Sequence, residues 1–283
     1  MSENLLHADF CANMGSAGDK CRQLLAQRAA EVINDTLDSV DPNLSVVIRA
    51  RNERQRLEGL LEDIHAQQFN GEVQVLIVDS DSSDGTCEMA RAHSAEIIPI
   101  AQTTYSHPKA LNRGFEAADH PFIMTLVAHS NLVTTAAFKG VTKWANAPEF
   151  AGAYGPVALP DNHATIWERR ATRVLRPELR LQPSSVVKDI SRGAMLTHRT
   201  VYAKAAWEEM GRFDENYGAG GEDKVMARRM LDFGLLVARE PTLSIYHSHH
   251  LGPLGIIKQY FDYRRLSRPH AFDAGRLKYR EIQ

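Results

Sequence analysis

The chain has 283 residues, 43% of them hydrophobic and 24% charged. This suits one medium-sized α/β domain with room for a core, and does not require two independent domains. A formal net charge of -2 gives no global argument for nucleic acid or for a strongly acidic partner. Three cysteines, Cys11, Cys21 and Cys87, match neither a zinc knuckle nor a redox pair, so they are read as reduced. No stretch approaches the roughly 18 apolar residues of a membrane span, and the start lacks a basic region followed by an apolar one. The expectation is a cytoplasmic protein, at most peripheral at the inner face of a membrane.

Residues 1–43 read as a helical appendage, with Leu24, Leu25, Val32 and Ile33 on a helix over 20–37. Leu44 to Ala50 is a strand candidate followed by the polar cluster Arg51-Asn52-Glu53, and Leu57, Leu60, Leu61 and Ile64 then recur at helical spacing. The next unit is sharper. Val75-Leu-Ile-Val78 is an apolar run of the kind covered on both faces of a parallel sheet, and it breaks into Asp79-Ser-Asp-Ser-Ser-Asp-Gly-Thr86. Two consecutive units of strand, polar tip and helix imply a right-handed parallel crossover with the tips side by side, where open α/β sheets bind ligands. Asp79, at the strand end, reads as a ligand contact, whereas Asp84 reads as a turn and helix-entry residue.

Further strands are expected at 95–100 and 122–128, with a helix over 109–118 between them. Residues 159–187 carry Pro160, Pro177 and Pro183 among Arg169, Arg170, Arg173, Arg176 and Arg180. That run is either a solvated helix face or a flap meeting an anionic acceptor. A strand over 191–197, a helix through Trp207, a helix opened by Glu222-Asp223, and Leu243 to Tyr246 leading into His247-Ser-His-His250 follow. Residues 254–266 form a last amphipathic piece.

Glu222 and Asp223 follow Gly220-Gly221 and open a helix, whose partial positive charge favours ionised carboxylates. They are the candidates for a general base, with simple helix capping as the alternative.

The strand tip Arg49-Ala-Arg-Asn-Glu53 and the signature Val78 to Thr86 resemble those of the family-2 glycosyltransferases, with Asp81 where the family usually has glycine. The block Gly193-Ala194, Gly211-Arg-Phe-Asp214 and Gly221-Glu-Asp223 resembles the family's acceptor side. The likeness spans about residues 44–265. It implies an α/β GT-A fold, Rossmann-like, with a mainly parallel central sheet flanked by helices. Residues 44–158 would form the nucleotide-sugar-binding half, 159–250 the acceptor-binding and catalytic half, and 251–283 a C-terminal helix and tail.

The resemblance also implies roles. Asp79 would contact the base or ribose, with Ala50, Arg51, Glu53 and Asp81 lining the nucleoside. Lys109 and Asn112 fall where relatives carry a basic residue and an Asn before a helix-packing glycine, Gly114. Asp223 would be the base and Glu222 an acceptor ligand, in an inverting transfer of a hexosyl or deoxyhexosyl group from a nucleotide-diphosphate sugar to a polysaccharide or glycolipid hydroxyl. The family's Asp-X-Asp reads Ala128-His-Ser130 here, so His129 takes the place of the last aspartate. His129 and His247 are the candidate metal and diphosphate pair, and His249 and His250 the weaker ones. A divalent cation, Mn²⁺ or Mg²⁺, is therefore left open, with Lys109 or Arg113 as the alternative source of positive charge. A peripheral membrane contact and a homodimer are also left open. The competing readings are a nucleotidyltransferase of related fold and a non-catalytic nucleotide-sugar-binding subunit. Nucleic acid is not an expected partner.

Overall fold

The computed structural model describes residues 16–161, 164–169, 181–188, 195, 197–217, 221–249 and 251–258. Helix α1 (Ser16–Asp35) precedes β1 (Leu44–Ala50), α2 (Arg54–His65), β2 (Val73–Asp79), α3 (Thr86–Ala92), β3 (Glu96–Pro99), α4 (His107–Ala117) and β4 (Phe122–Val127). Then come β5 (Ser130–Leu132), α5 (Ala137–Ala145), β6 (Phe150–Tyr154), β7 (Ala158–Leu159), β8 (Ser185–Val186) and β9 (Thr200–Ala203). The last elements are α6 (Lys204–Glu209), α7 (Glu222–Asp232), β10 (Leu236–Arg239) and β11 (Ile245–His247).

Eight strands form one sheet in the order β3-β2-β1-β4-β9-β6-β10-β8, and β5-β11-β7 form a second, small sheet. β1 pairs in parallel with both β2 and β4, and β2 with β3. β9 runs antiparallel between β4 and β6. The fold is thus the α/β architecture expected, a largely parallel sheet between helices.

Both faces of the central strands are buried, as their unbroken apolar runs require. Val46, Ile48, Val75 and Ile77 pack with Leu57, Leu60, Leu61 and Ile64 of α2 on one side. Val47, Leu76 and Val78 pack with Ala110, Leu111 and Phe115 of α4 on the other. Gly114 makes the second contact close: a Cβ there would lie 2.3 Å from Val47 Cγ1.

Helix α1 buries Cys21 and Leu25 with Val133, Leu159 and Tyr246, so its apolar stripe lies against the small-sheet region. Among the described residues Cys21 and Cys87 form no disulfide, and no helix is long and apolar enough to cross a membrane.

One expected element moves. Thr197 lies in a turn, and the strand of this region is β9, Thr200–Ala203, whose Thr-Val-Tyr run fits the slot between β4 and β6. Residues 191–194 and 196 lie outside the described residues, as do Arg170, Arg173, Arg176 and Arg180 and everything beyond residue 258.

Candidate active site

The parallel register puts Ala50 beside Asp79, so the β1 and β2 tips leave the sheet together. Their loops are then laced to each other. Asn52 N donates to Ser82 Oγ (2.8 Å), Ser83 N to Asn52 Oδ1 (2.8 Å), Glu53 N to Thr86 Oγ1 (3.0 Å) and Arg54 N to Asp84 Oδ2 (3.1 Å). Asp84 also accepts from Thr86 N at 3.0 Å, the helix-entry use expected of it. Asp79 is 6% exposed, and its Oδ2 accepts from Ser82 N at 3.0 Å. Its Oδ1 is buried with no hydrogen-bond partner among the described residues, a costly state for a carboxylate oxygen unless a ligand donor completes it.

Asp81 stands where the resembling signature has glycine, and the backbone explains both residues. Its φ is 55°, in the left-handed region that favours Gly and tolerates Asp better than most others. Its Oδ2 accepts from Gln102 N at 2.7 Å, which ties the rim to the next loop. Arg51 is exposed.

On the other side of the site Gly221, with φ 106°, caps α7. This conformation brings Glu222 and Asp223 into the helix's first turn, where they are 2% and 7% exposed. Asp223 Oδ1 accepts from Lys224 N at 2.7 Å, while Glu222 Oε2 has no partner among the described residues. Burial and then the Asp223 charge push the Glu222 carboxyl up to about 7, against the pull of Arg49 and a hydrogen bond from Thr197. Burial raises Asp223 as well, opposed by Lys224 and Arg49. Burial thus favours the protonated form of both carboxyls.

Arg49 connects the two sides. It belongs to β1, one residue before the partner of Asp79, and its charge acts on Glu222, Asp223, Tyr202 and His107. Burial, then Arg49, lowers His107 to about 3, so that imidazole is neutral. Arg49 Nε is buried without a hydrogen-bond partner among the described residues.

The histidines gather beside this axis. His129 follows β4 in the turn before β5, and β11 pairs with β5 so that His247 faces Ser130. The His129 and His247 ring centroids are 4.9 Å apart, those of His129 and His249 5.3 Å, and those of His247 and His249 4.5 Å. One ring nitrogen from each lies within 4.8 Å of the others. His129 Nδ1 is 2.9 Å from Glu53 Oε1, which joins the cluster to the β1 tip. His198 stacks on the far side of His247 at 5.3 Å. Burial above all, then the other histidines, holds His247 and His249 below the usual histidine value.

The expected pair His129 and His247 is thus brought together, and His249 is its equal partner rather than a weaker candidate. A signal for this was present, because residues two apart in an extended segment point the same way. His250 lies outside the described residues.

Other expected contacts are placed differently. Asn112 is 4% exposed, and its Nδ2 donates to Phe213 O (2.9 Å) and Glu215 Oε1 (3.0 Å) while its Oδ1 accepts from Phe213 N (3.1 Å). Its amide clamps the 213–215 segment to α4. Lys109 lies half-buried in the first turn of α4. Arg113 Nη1 donates to Pro99 O at 3.2 Å. Arg169 Nε donates to Ala164 O at 3.0 Å, so its guanidinium serves its own turn. Sequence reasoning missed Arg49 and His198.

A large, mainly parallel central sheet flanked by helices is the architecture of GT-A glycosyltransferase structures. The profile described as "Glycosyl transferase family 2" matches residues 45–205, and the chain belongs to that family. It is 24% identical over 200 residues to the O-antigen chain rhamnosyltransferase WbaN of Salmonella anatum, a match covering 69% of this chain and 63% of that protein. Among solved structures it is similar to the mannosyltransferase PcManGT from Pyrobaculum calidifontis, in complex with GDP-Man and Mn²⁺. The TM-score is 0.56 at 17% identity, over 82% of this chain and 69% of that one. It is also similar to S. aureus TarS 1-349 in complex with UDP, with a TM-score of 0.57 at 14% identity, over 76% and 62%. The chain thus spans less than two thirds of the length of the rhamnosyltransferase it matches.

The fold thus brings the Mn²⁺ of such structures into question here. A hard cation is held by oxygen ligands, and the clustered donors beside the β4 end are three imidazoles. The nearby carboxylate, Glu53, is spent on His129. These residues do not fit a Mg²⁺ or Mn²⁺ site of carboxylate type.

Proposed function

We propose that the protein is an inverting glycosyltransferase that moves a hexosyl or deoxyhexosyl group from a nucleotide-diphosphate sugar to a hydroxyl of a polysaccharide or glycolipid. The observation that carries this reading is the Glu222-Asp223 pair, buried at the α7 N-terminus and joined through Arg49 to the strand end that holds Asp79. The GDP-Man and UDP bound in the similar structures, and the similarity to a rhamnosyltransferase, agree with such a donor.

In this reading the open Oδ1 of Asp79 accepts a hydrogen bond from the nucleoside, with Ala50 and Glu53 on the opposite wall. Asp223 takes the proton of the acceptor hydroxyl as that oxygen attacks the anomeric carbon from the face opposite the diphosphate. The bond from the anomeric carbon to the diphosphate oxygen breaks, the electron pair leaves with the nucleoside diphosphate, and the anomeric configuration inverts. Glu222, protonated over part of the neutral range, donates to the acceptor and orients it. Lys109 in the first turn of α4 adds positive charge on the diphosphate side, where charge develops in the transition state.

An acceptor that carries a lipid suits the surface near the histidines. Ile166, Trp167, Leu254 and Ile257 are exposed apolar side chains. Their segments are joined by the bond from Thr165 Oγ1 to Leu251 O at 2.6 Å.

The test is product identity. Incubation with UDP-, dTDP- and GDP-linked sugars and a glycolipid panel should release a nucleoside diphosphate. Release of pyrophosphate would make the protein a nucleotidyltransferase. Tight donor binding with no turnover on any acceptor would make it a binding subunit.

A further inference from the structure

We propose that His129, His247 and His249 form a three-imidazole site for a borderline cation of the zinc type, in place of a hard-cation site. Three observations carry it. The donor set is all nitrogen, and imidazole suits zinc, cobalt or nickel, whereas carboxylate and water oxygens suit magnesium and manganese. The Glu53 carboxylate lies on Nδ1 of His129 at 2.9 Å. A carboxylate behind a ligating histidine fixes its tautomer and leaves Nε2 as the free base that faces the ion.

The three rings are also held in advance. Pairing of β11 with β5 sets His247 opposite Ser130, next to His129. His249 is anchored by its backbone N–H donating to Glu168 Oε1 at 2.9 Å. Ring nitrogens now within 4.8 Å of one another need only small side-chain rotations to reach the roughly 3.4 Å set by zinc–nitrogen bonds of about 2.1 Å in a tetrahedron. Three protein ligands leave one position open, as at zinc sites that bind an exchangeable group. Resting on the glycosyl-transfer reading, the occupant of that position is a diphosphate oxygen of the donor.

The experiment uses the whole chain, freed of metal with a chelator and titrated with Co²⁺ while its visible bands are followed. One Co²⁺ per chain should bind with the spectrum of a low-coordinate ion, and one equivalent of Zn²⁺ should displace it. A hundredfold excess of Mg²⁺ or Mn²⁺ should not. His249→Ala should weaken Zn²⁺ binding by at least about tenfold with an unchanged circular dichroism spectrum. His247→Gln serves as a second variant if the first does not fold, and His65→Ala, which stacks on His93, should leave binding unchanged. Equal competition by Mn²⁺, or Zn²⁺ affinity indifferent to both cluster variants, overturns the proposal. Donor binding measured on the metal-free protein separates the two readings: a cobalt site in a protein that binds no nucleotide sugar upholds the site and refutes the transferase reading.

Discussion

The Nδ1 of His129 lies 2.9 Å from Oε1 of Glu53, although 76 residues separate them. One comes from the turn after β4 and the other from the loop after β1, so the bond closes the histidine cluster against the nucleotide-type rim. The Glu53 Oε1 is engaged with the ring. Glu53→Ala should lower Zn²⁺ affinity by about 10- to 100-fold, and Glu53→Gln, which can still accept the hydrogen bond, by less. Calorimetric titration of the two variants checks the order.

The acid pair predicts opposite pH effects on activity and stability. Among the described residues the groups acting on Glu222 are Asp223 from α7, Arg49 from β1 and Thr197; Lys224 acts on Asp223, and Tyr202 of β9 feels both acids. Transfer should rise with pH through about 7 as the acid pair ionises. Stability runs the other way. The folded carboxyl titrates at about 7 against an ordinary 4.5, so its contribution is fully present below the ordinary value and is lost as pH climbs to the folded one. Glu222→Gln should remove that loss and stabilise the fold by about 3 kcal/mol at pH 8 relative to pH 4. It should also move the acid limb of the rate profile to lower pH. Urea unfolding and initial rates across the range read both.

Asp41 gives a stability test far from the chemistry. Its carboxylate accepts from Lys139 Nζ at 2.8 Å, Thr142 Oγ1 at 2.7 Å and Asn70 N at 2.9 Å. Burial alone would raise its pKa, but these bonds outweigh it and lower the value. The stabilisation is therefore present above the ordinary carboxylate range and lost as pH falls through the depressed value. Asp41→Ala should cost about 3 kcal/mol at pH 7 and progressively less in acid, as thermal melts at both ends of the range would show.

Gly114 tests the packing that places α4. A Cβ there would lie 2.3 Å from Val47 Cγ1 and 3.1 Å from Val78 Cγ2. Gly114→Ala should destabilise by about 1–3 kcal/mol despite alanine's better helix propensity. A variant as stable as the parent in urea would show that the helix stands off the sheet.

The two halves of the site differ in how far they could be read from sequence, and the reason is range. Asp79 was legible because an apolar run ending in a carboxylate is a local pattern, and Glu222-Asp223 because glycine followed by acids marks a helix start. The bonds of Asn112 were not legible, because its partners Phe213 and Glu215 lie about a hundred residues on and no local spacing says which way an amide turns. Asp81 looked anomalous until its φ of 55° showed what glycine or aspartate does there. Arg49 hid within a strand whose other residues are mostly apolar, and its importance arises only where the sheet brings it toward α7.

Asp223→Asn tests the central claim most directly, with transfer and donor binding measured on the same preparation. Loss of the base should cut transfer by about a thousandfold while donor affinity stays within about threefold of the parent, because the proposed nucleoside contacts are at the β1 and β2 tips. Transfer that persists within tenfold of the parent would contradict the account.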